Sequence, residues 1–195
     1  MSVLMAAAAA VARFGLWFGG ALILLAAILI GIDVFLRKVL VVSIGGADEL
    51  AGYALAIGTA WGLAAALLDR AHIRIDSLYL LAPTPVRVAL DLVGLLLFAG
   101  FFALVFWHGI GVFEQSWTSS SRSQSALETP LIVPQAIWLV GLGLFVAIAV
   151  ALALSVLARL LRGDLAGVSA LIGTRSSAEE VAEEMRAAEA RIAER

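Results

Sequence analysis

Four long stretches almost free of charge constrain this chain of 195 residues more than anything else: residues 14–36, 50–68, 86–113 and 131–157. A helix rises about 1.5 Å per residue, so each run approaches or exceeds the length that crosses a hydrocarbon core of about 30 Å. Inside lipid every backbone N–H and C=O must be satisfied within the protein, and a helix does this alone. The fold class expected is all-α integral membrane, with four transmembrane helices. Composition agrees: 63% of the residues are apolar and 14% charged, against about 45–50% and about 25% in soluble domains. A soluble protein of this size could not hide that much apolar surface.

The joints carry helix-end chemistry. Asp33, Arg37 and Lys38 close the first run, Asp48 and Glu49 open the second, and Arg159 and Arg162 close the fourth. Acidic residues at a helix start favour the positive end of its dipole. Thr84-Pro85 and Thr129-Pro130 read as an N-cap followed by a first-turn proline. Pro134, one turn further in, leaves the start of the fourth helix open by a turn. Residues 71–82 alternate Ile73, Ile75, Leu78 and Leu81 with Arg74, Asp76 and Ser77. They are too short to cross, and a short amphipathic segment in the headgroup zone is expected. Residues 115–128 read as an exposed polar loop.

These readings divide the chain into a transmembrane domain, 1–162, and a polar tail, 163–195. Within the tail, 163–173 reads as a mixed linker and 176–195 as a solvated helix. Ser177 and Glu180 suit a capping box there, and Val181, Met185, Ala188 and Ile192 share one face. Residues 1–12 carry no basic side chain, and the following apolar run outlasts a signal-peptide core of roughly 7–15 residues. It is read as a retained first helix.

Basic residues flanking the runs set the expected orientation. Arg13, Arg70, Arg74, Arg87, Arg159 and Arg162 fall on one side; Arg37, Lys38 and Arg122 fall on the other. The richer side is expected to be cytoplasmic, with both termini there. Trp17, Trp107, Trp117 and Trp138 lie near run ends, as an interfacial aromatic belt requires.

Several chemistries are excluded. There are no cysteines, so disulfides, thiolate metal sites and thiol nucleophiles are absent. Two histidines are too few for most histidine cages. The basic residues form no stripe, so nucleic acid is not a partner. No Walker loop, GxGxxG, HExxH or GxSxG occurs, and neither enzyme activity nor a cofactor is expected. Asp33 with Arg37, and Arg87 with Asp91, sit four apart and are read as structural or interfacial pairs. His108 is read as a packing residue. Gly15 with Gly19, and Gly58 with Gly62, permit close helix approach, either inside this bundle or against another subunit. With so few polar groups within the spans, the chain is expected to serve a larger machine. A four-helix haem or quinone subunit is the alternative; a stand-alone exporter or channel is disfavoured by the dry spans.

Four motifs, in order, resemble one family. Asp33-Val34-Phe35-Leu36-Arg37 resembles its D-x-x-x-R ending of the first helix, and Glu49 to Tyr53 (ELAGY) its E-L-x-x-Y opening of the second. His72-Ile73-Arg74-Ile75-Asp76 resembles its H-I-x-[VI]-D motif. Thr129-Pro130-Leu131 with Pro134 and Trp138 resembles its T-P-L-x-x-P stretch. Across residues 14–162 the chain is similar to the small membrane subunit, DctQ type, of tripartite ATP-independent periplasmic (TRAP) transporters. The resemblance implies two protein partners, a large membrane subunit and a periplasmic solute-binding protein, in the bacterial inner membrane. It also implies uptake of an organic acid, driven by an ion gradient, with the substrate and ion sites on the large subunit. Asp33, Arg37, Glu49, His72, Arg74, Asp76, Pro130 and Pro134 are then the candidate structural or partner-interface residues.

Overall fold

The computed structural model describes residues 3–70, 79, 82–173, 185, 188, 189 and 192. Their regular structure is helical: α1 (Val3–Val39), α2 (Ala47–Leu68), α3 (Thr84–Thr118), α4 (Ile132–Leu160) and a short α5 (Leu165–Ile172). The first four are long and apolar enough to span a membrane. The expected amphipathic segment, apart from Tyr79 and Ala82, lies outside the described residues. So do most of the tail helix and its Ser177–Glu180 cap.

The helices overrun the charge-free runs. α1 starts at Val3 rather than near 14 because its first turns are a run of alanines, which lose no side-chain entropy on becoming helical. Its 37 residues make a rod about 55 Å long, well beyond the hydrocarbon thickness. Neither threonine expected as an N-cap acts as one. Pro83, not Thr84, caps α3, because its carbonyl accepts the first helical N–H groups, from Val86 and Arg87. Thr129 is held in the preceding loop, where its N–H donates to Ser123 Oγ and its carbonyl accepts from Ser123 N–H. α4 therefore begins after Leu131, with Pro134 buried inside its first turn.

The stretch expected as a linker, 163–173, is mostly α5. Asp164 caps it by accepting from Gly167 N–H at 2.8 Å, and Arg159 donates to Gly167 O at 2.8 Å. Val168 and Ile172 are buried against the ends of α3 and α4. Four apolar side chains at helical spacing, Leu165, Val168, Leu171 and Ile172, give this short helix one greasy face. Burial of that face outweighs the flexibility of the flanking Gly163 and Gly173.

The four spans stand in a row rather than a closed bundle, in the order α1, α2, α4, α3. α1 packs along α2, α2 on α4, and α4 on α3; α1 only brushes α4. Burial follows: 33% of the most apolar stretch of α2 and of α4 is buried, against 17% in α1 and α3. The inner pair is flanked on both sides and the outer pair on one.

Small residues set the tightest contact. Ala12, Gly15 and Gly19 of α1 meet Gly58, Trp61, Ala64 and Ala65 of α2. A methyl group on Gly15 would sit 2.5 Å from Trp61 O, and one on Gly19 would sit 2.5 Å from Gly58 O. Backbones touch here, which is how helices associate when lipid gives them no hydrophobic incentive. Gly15, Gly19 and Gly58 thus pack inside this chain, whereas Gly62 faces open space. At the other side of the row, Phe98, Phe102 and Phe145 pack edge to face, with ring centroids 5.0 to 5.5 Å apart.

Trp61 joins the two halves. Its indole N–H donates to Ile137 O at 2.9 Å, its ring meets Phe14 and Phe18 edge-on, and Gly141 gives it room. Gly19→Leu should therefore destabilise the protein in mild detergent by about 1–3 kcal/mol through overpacking. Gly62→Leu should be near neutral. Thermal unfolding of the two variants side by side measures the difference.

Candidate functional site

One end of the row carries the α1–α2 turn and the α3–α4 loop, and most of the described polar contacts collect there. Asp33 lies in the last turns of α1 and is 1% exposed. A carboxylate so placed needs several donors, and it has them. Arg37, one turn later, reaches it at 2.5 Å; Ile44 N–H donates at 2.6 Å and Ser43 Oγ at 3.1 Å. The expected Asp33–Arg37 pair is present, and the carboxylate also folds the α1–α2 turn back onto α1. Arg37 lies 3.6 Å from Asp48 as well, linking the end of α1 to the start of α2.

Glu49, in the first turn of α2, does more than complement the helix dipole. One oxygen accepts from Tyr53 Oη at 2.7 Å, and the other accepts from the Ser125 hydroxyl of the α3–α4 loop. Ser123 and Ser125 in turn organise that loop. Ser123 Oγ accepts from Thr129 N–H and Ser125 Oγ accepts from Leu127 N–H, and Arg122 pairs with Pro130 as an isolated antiparallel bridge. Gly46, at φ +85°, lets the turn before α2 lie against Leu127. Residues 119–131 are thus a built loop tied to α2. Pro130 is exposed in it, and Pro134 is buried at the start of α4.

The second expected pair is absent. Arg87 donates to Ala82 O at 2.7 Å, and buried Asp91 accepts from Tyr79 Oη at 2.6 Å. Spacing of four puts two side chains on one helix face but does not decide which way each turns. His108, expected to be a packing residue, is exposed on α3. His72, Arg74 and Asp76 lie outside the described residues.

Between α2 and α4 lies an apolar groove of about 150 Å³ lined by Tyr53, Ile57, Leu131, Pro134, Gln135 and Trp138. Gln135 Oε1 is buried there and accepts no hydrogen bond. Among the described residues no three His, Asp or Glu side chains converge as a metal site would require.

A family model described as "Tripartite ATP-independent periplasmic transporters, DctQ component" matches residues 26–160. The chain belongs to this family. It is a small permease subunit of a TRAP transporter and a multi-pass membrane protein. No curated protein and no solved structure matches it. The matched range in this DctQ chain runs from the middle of α1 to the end of α4. It takes in Asp33, Glu49 and the α3–α4 loop, and leaves out α5 and the tail. The family belongs to transport, so the haem or quinone alternative is not favoured.

Sequence reasoning placed Glu49 but missed Tyr53 and Ser125 as its partners, and Ser125 lies 76 residues away. It also missed Trp61, which no charge or turn signal marks. Glu49→Gln should loosen the loop without unfolding the helices, because the amide is a weaker acceptor for two hydroxyl donors. Amide hydrogen exchange should rise several-fold at 119–131 and stay unchanged in α4.

Proposed function

We propose that this subunit is the fixed scaffold of its transporter, holding a large membrane subunit that moves an organic acid down an ion gradient's pull. The observation that carries the proposal is the open row of helices. A row has two broad apolar faces and encloses no polar path, so it suits a wall better than a conduit. Exposed side chains such as Leu24, Leu25, Phe35, Leu97, Phe101 and Leu104 give it a lipid-compatible or partner-compatible perimeter. The groove between α2 and α4 supports a protein companion on one face, because a donor from a neighbouring helix would satisfy Gln135 Oε1.

The orientation follows the basic residues, with both termini cytoplasmic and the loop-bearing end periplasmic. The solute-binding protein would then meet the end that carries Lys38 and the α3–α4 loop. Arg37 is committed to Asp33 and Asp48, which leaves Lys38 as the cleaner probe of docking. The charged motif at His72, Arg74 and Asp76 is assigned to bracing the cytoplasmic elbow between α2 and α3.

Affinity purification in mild detergent should recover a much larger, many-spanning protein with this chain, and alanine at both Arg74 and Asp76 should reduce that recovery or the transport rate. Accumulation of an organic acid by vesicles containing this chain alone would overturn the scaffold reading. Lys38→Glu should weaken docking of the binding protein; unchanged affinity would move the contact elsewhere.

A further inference from the structure

A second cavity, of about 480 Å³, opens where the end of α3 meets the start of α4. Its wall is divided by chemistry. Trp117, Pro130 and Ile132 supply apolar surface; Ser120 and Arg122 supply donors, while the Ser121 hydroxyl donates to Ser119 Oγ at 2.7 Å. The backbone holds this division in place. Ser120 takes a left-handed conformation (φ 49°) just past the end of α3. Ser121 is fixed by two backbone hydrogen bonds, its N–H donating to Ser116 O and its carbonyl accepting from Leu131 N–H.

Arg122 is the cation of the site. Its Nη1 donates to Glu128 O at 3.1 Å, and among the described residues no carboxylate pairs with it. One hydrogen bond leaves most of the guanidinium fork available, and that fork matches the oxygens of a phosphate. Trp117 is 64% exposed at the end of a transmembrane helix, the level at which tryptophan marks the membrane interface.

We infer that this cavity binds the headgroup phosphate of an anionic phospholipid, with Arg122 and the Ser120 hydroxyl on the phosphate and Trp117 and Ile132 against the glycerol and first acyl carbons. A carboxylate side chain of a docked protein would satisfy Arg122 but would leave the apolar half and most of the volume empty. Free phosphate would use the donors alone. A molecule that is anionic at one end and apolar at the other uses the whole wall. The site lies in the loop that Glu49 holds but uses none of the Asp33 or Glu49 partner side chains, and it does not depend on the scaffold reading.

The test is native mass spectrometry of the full chain released from nanodiscs containing phosphatidylglycerol. The wild-type protein should retain one lipid, and Arg122→Gln should lower retention about tenfold, as loss of one charge-assisted contact predicts. The loop is also held by the Ser121, Ser123, Ser125 and Thr129 hydrogen bonds, so it should keep its form without the Arg122 contact, checked by unchanged thermal unfolding. Arg122→Lys should keep part of the retention, and Arg13→Gln, at the opposite end of α1, should keep all of it. Equal retention by wild type and Arg122→Gln would overturn the proposal. So would displacement of the lipid by millimolar inorganic phosphate, which would identify a free-phosphate site. Loss of binding-protein affinity in Arg122→Gln with lipid retention intact would also overturn it, and would identify a protein contact.

Discussion

Lipid gives transmembrane helices no hydrophobic reason to associate, so the shape of this protein depends on where its backbones can touch. That place is the seam between α1 and α2. Glycines at 15, 19 and 58 and alanines at 12, 64 and 65 remove the side chains that would hold the helices apart. Once α1 is committed to α2, its remaining surface meets another helix only where it brushes α4 at the Ala12–Ile148 cluster. The other seams use bulk instead, with Trp61 between α2 and α4 and interlocked phenylalanines between α3 and α4. Three seams of different character, each involving one face of a helix, give a row rather than a bundle.

A row has weak control over its own ends, because its outer helices are held from one side only. The polar groups compensate for this at the loop-bearing end. Asp33 pins the α1–α2 turn, Arg37 connects it to Asp48, and Glu49 draws in the α3–α4 loop. These contacts join elements distant in sequence without placing a charge in the middle of the hydrocarbon region, where it would be costly. At the opposite end α5 does similar work with apolar side chains, laying Val168 and Ile172 across α3 and α4. One end is tied by hydrogen bonds and the other by burial.

Much of this was legible in the sequence, and the failures have physical causes. Charge-free length revealed the four spans because lipid imposes it. It did not reveal the start of α1, since Ala6 to Ala12 favour helix whether or not they lie in lipid. The Asp33–Arg37 pair was legible because burial left the carboxylate in need of nearby donors, and its own helix supplied one. The identical spacing at Arg87 and Asp91 misled because Tyr79 and the Ala82 carbonyl offered other partners. Ser125 was hidden by distance along the chain. Trp61 was hidden by its surroundings, for an aromatic in an apolar run carries no sign of which neighbour will make room for it. The room for the indole comes from Gly141, while Gly15 makes room for the Trp61 backbone, and only the row's order brings both glycines to the same residue.

The row also bears on what a subunit without a polar path can contribute to transport. A component that moves solute by shifting across the membrane needs a neighbour that does not shift, and rigidity in that neighbour must come from contacts that cannot slide. Seams lined by large flexible side chains allow sliding. A seam in which the carbonyl oxygens of Gly19 and Gly58 each lie against the other residue's Cα, with no room for a methyl group, does not, because translation along the axis would drive a side chain into backbone. The same geometry explains why small residues line the α1–α2 contact at 12, 15, 19, 58, 64 and 65, while Phe98, Phe102 and Phe145 fill the α3–α4 contact. Edge-to-face phenylalanines can adjust by rotation and still fill space, so the α3–α4 seam is held by bulk rather than by backbone contact.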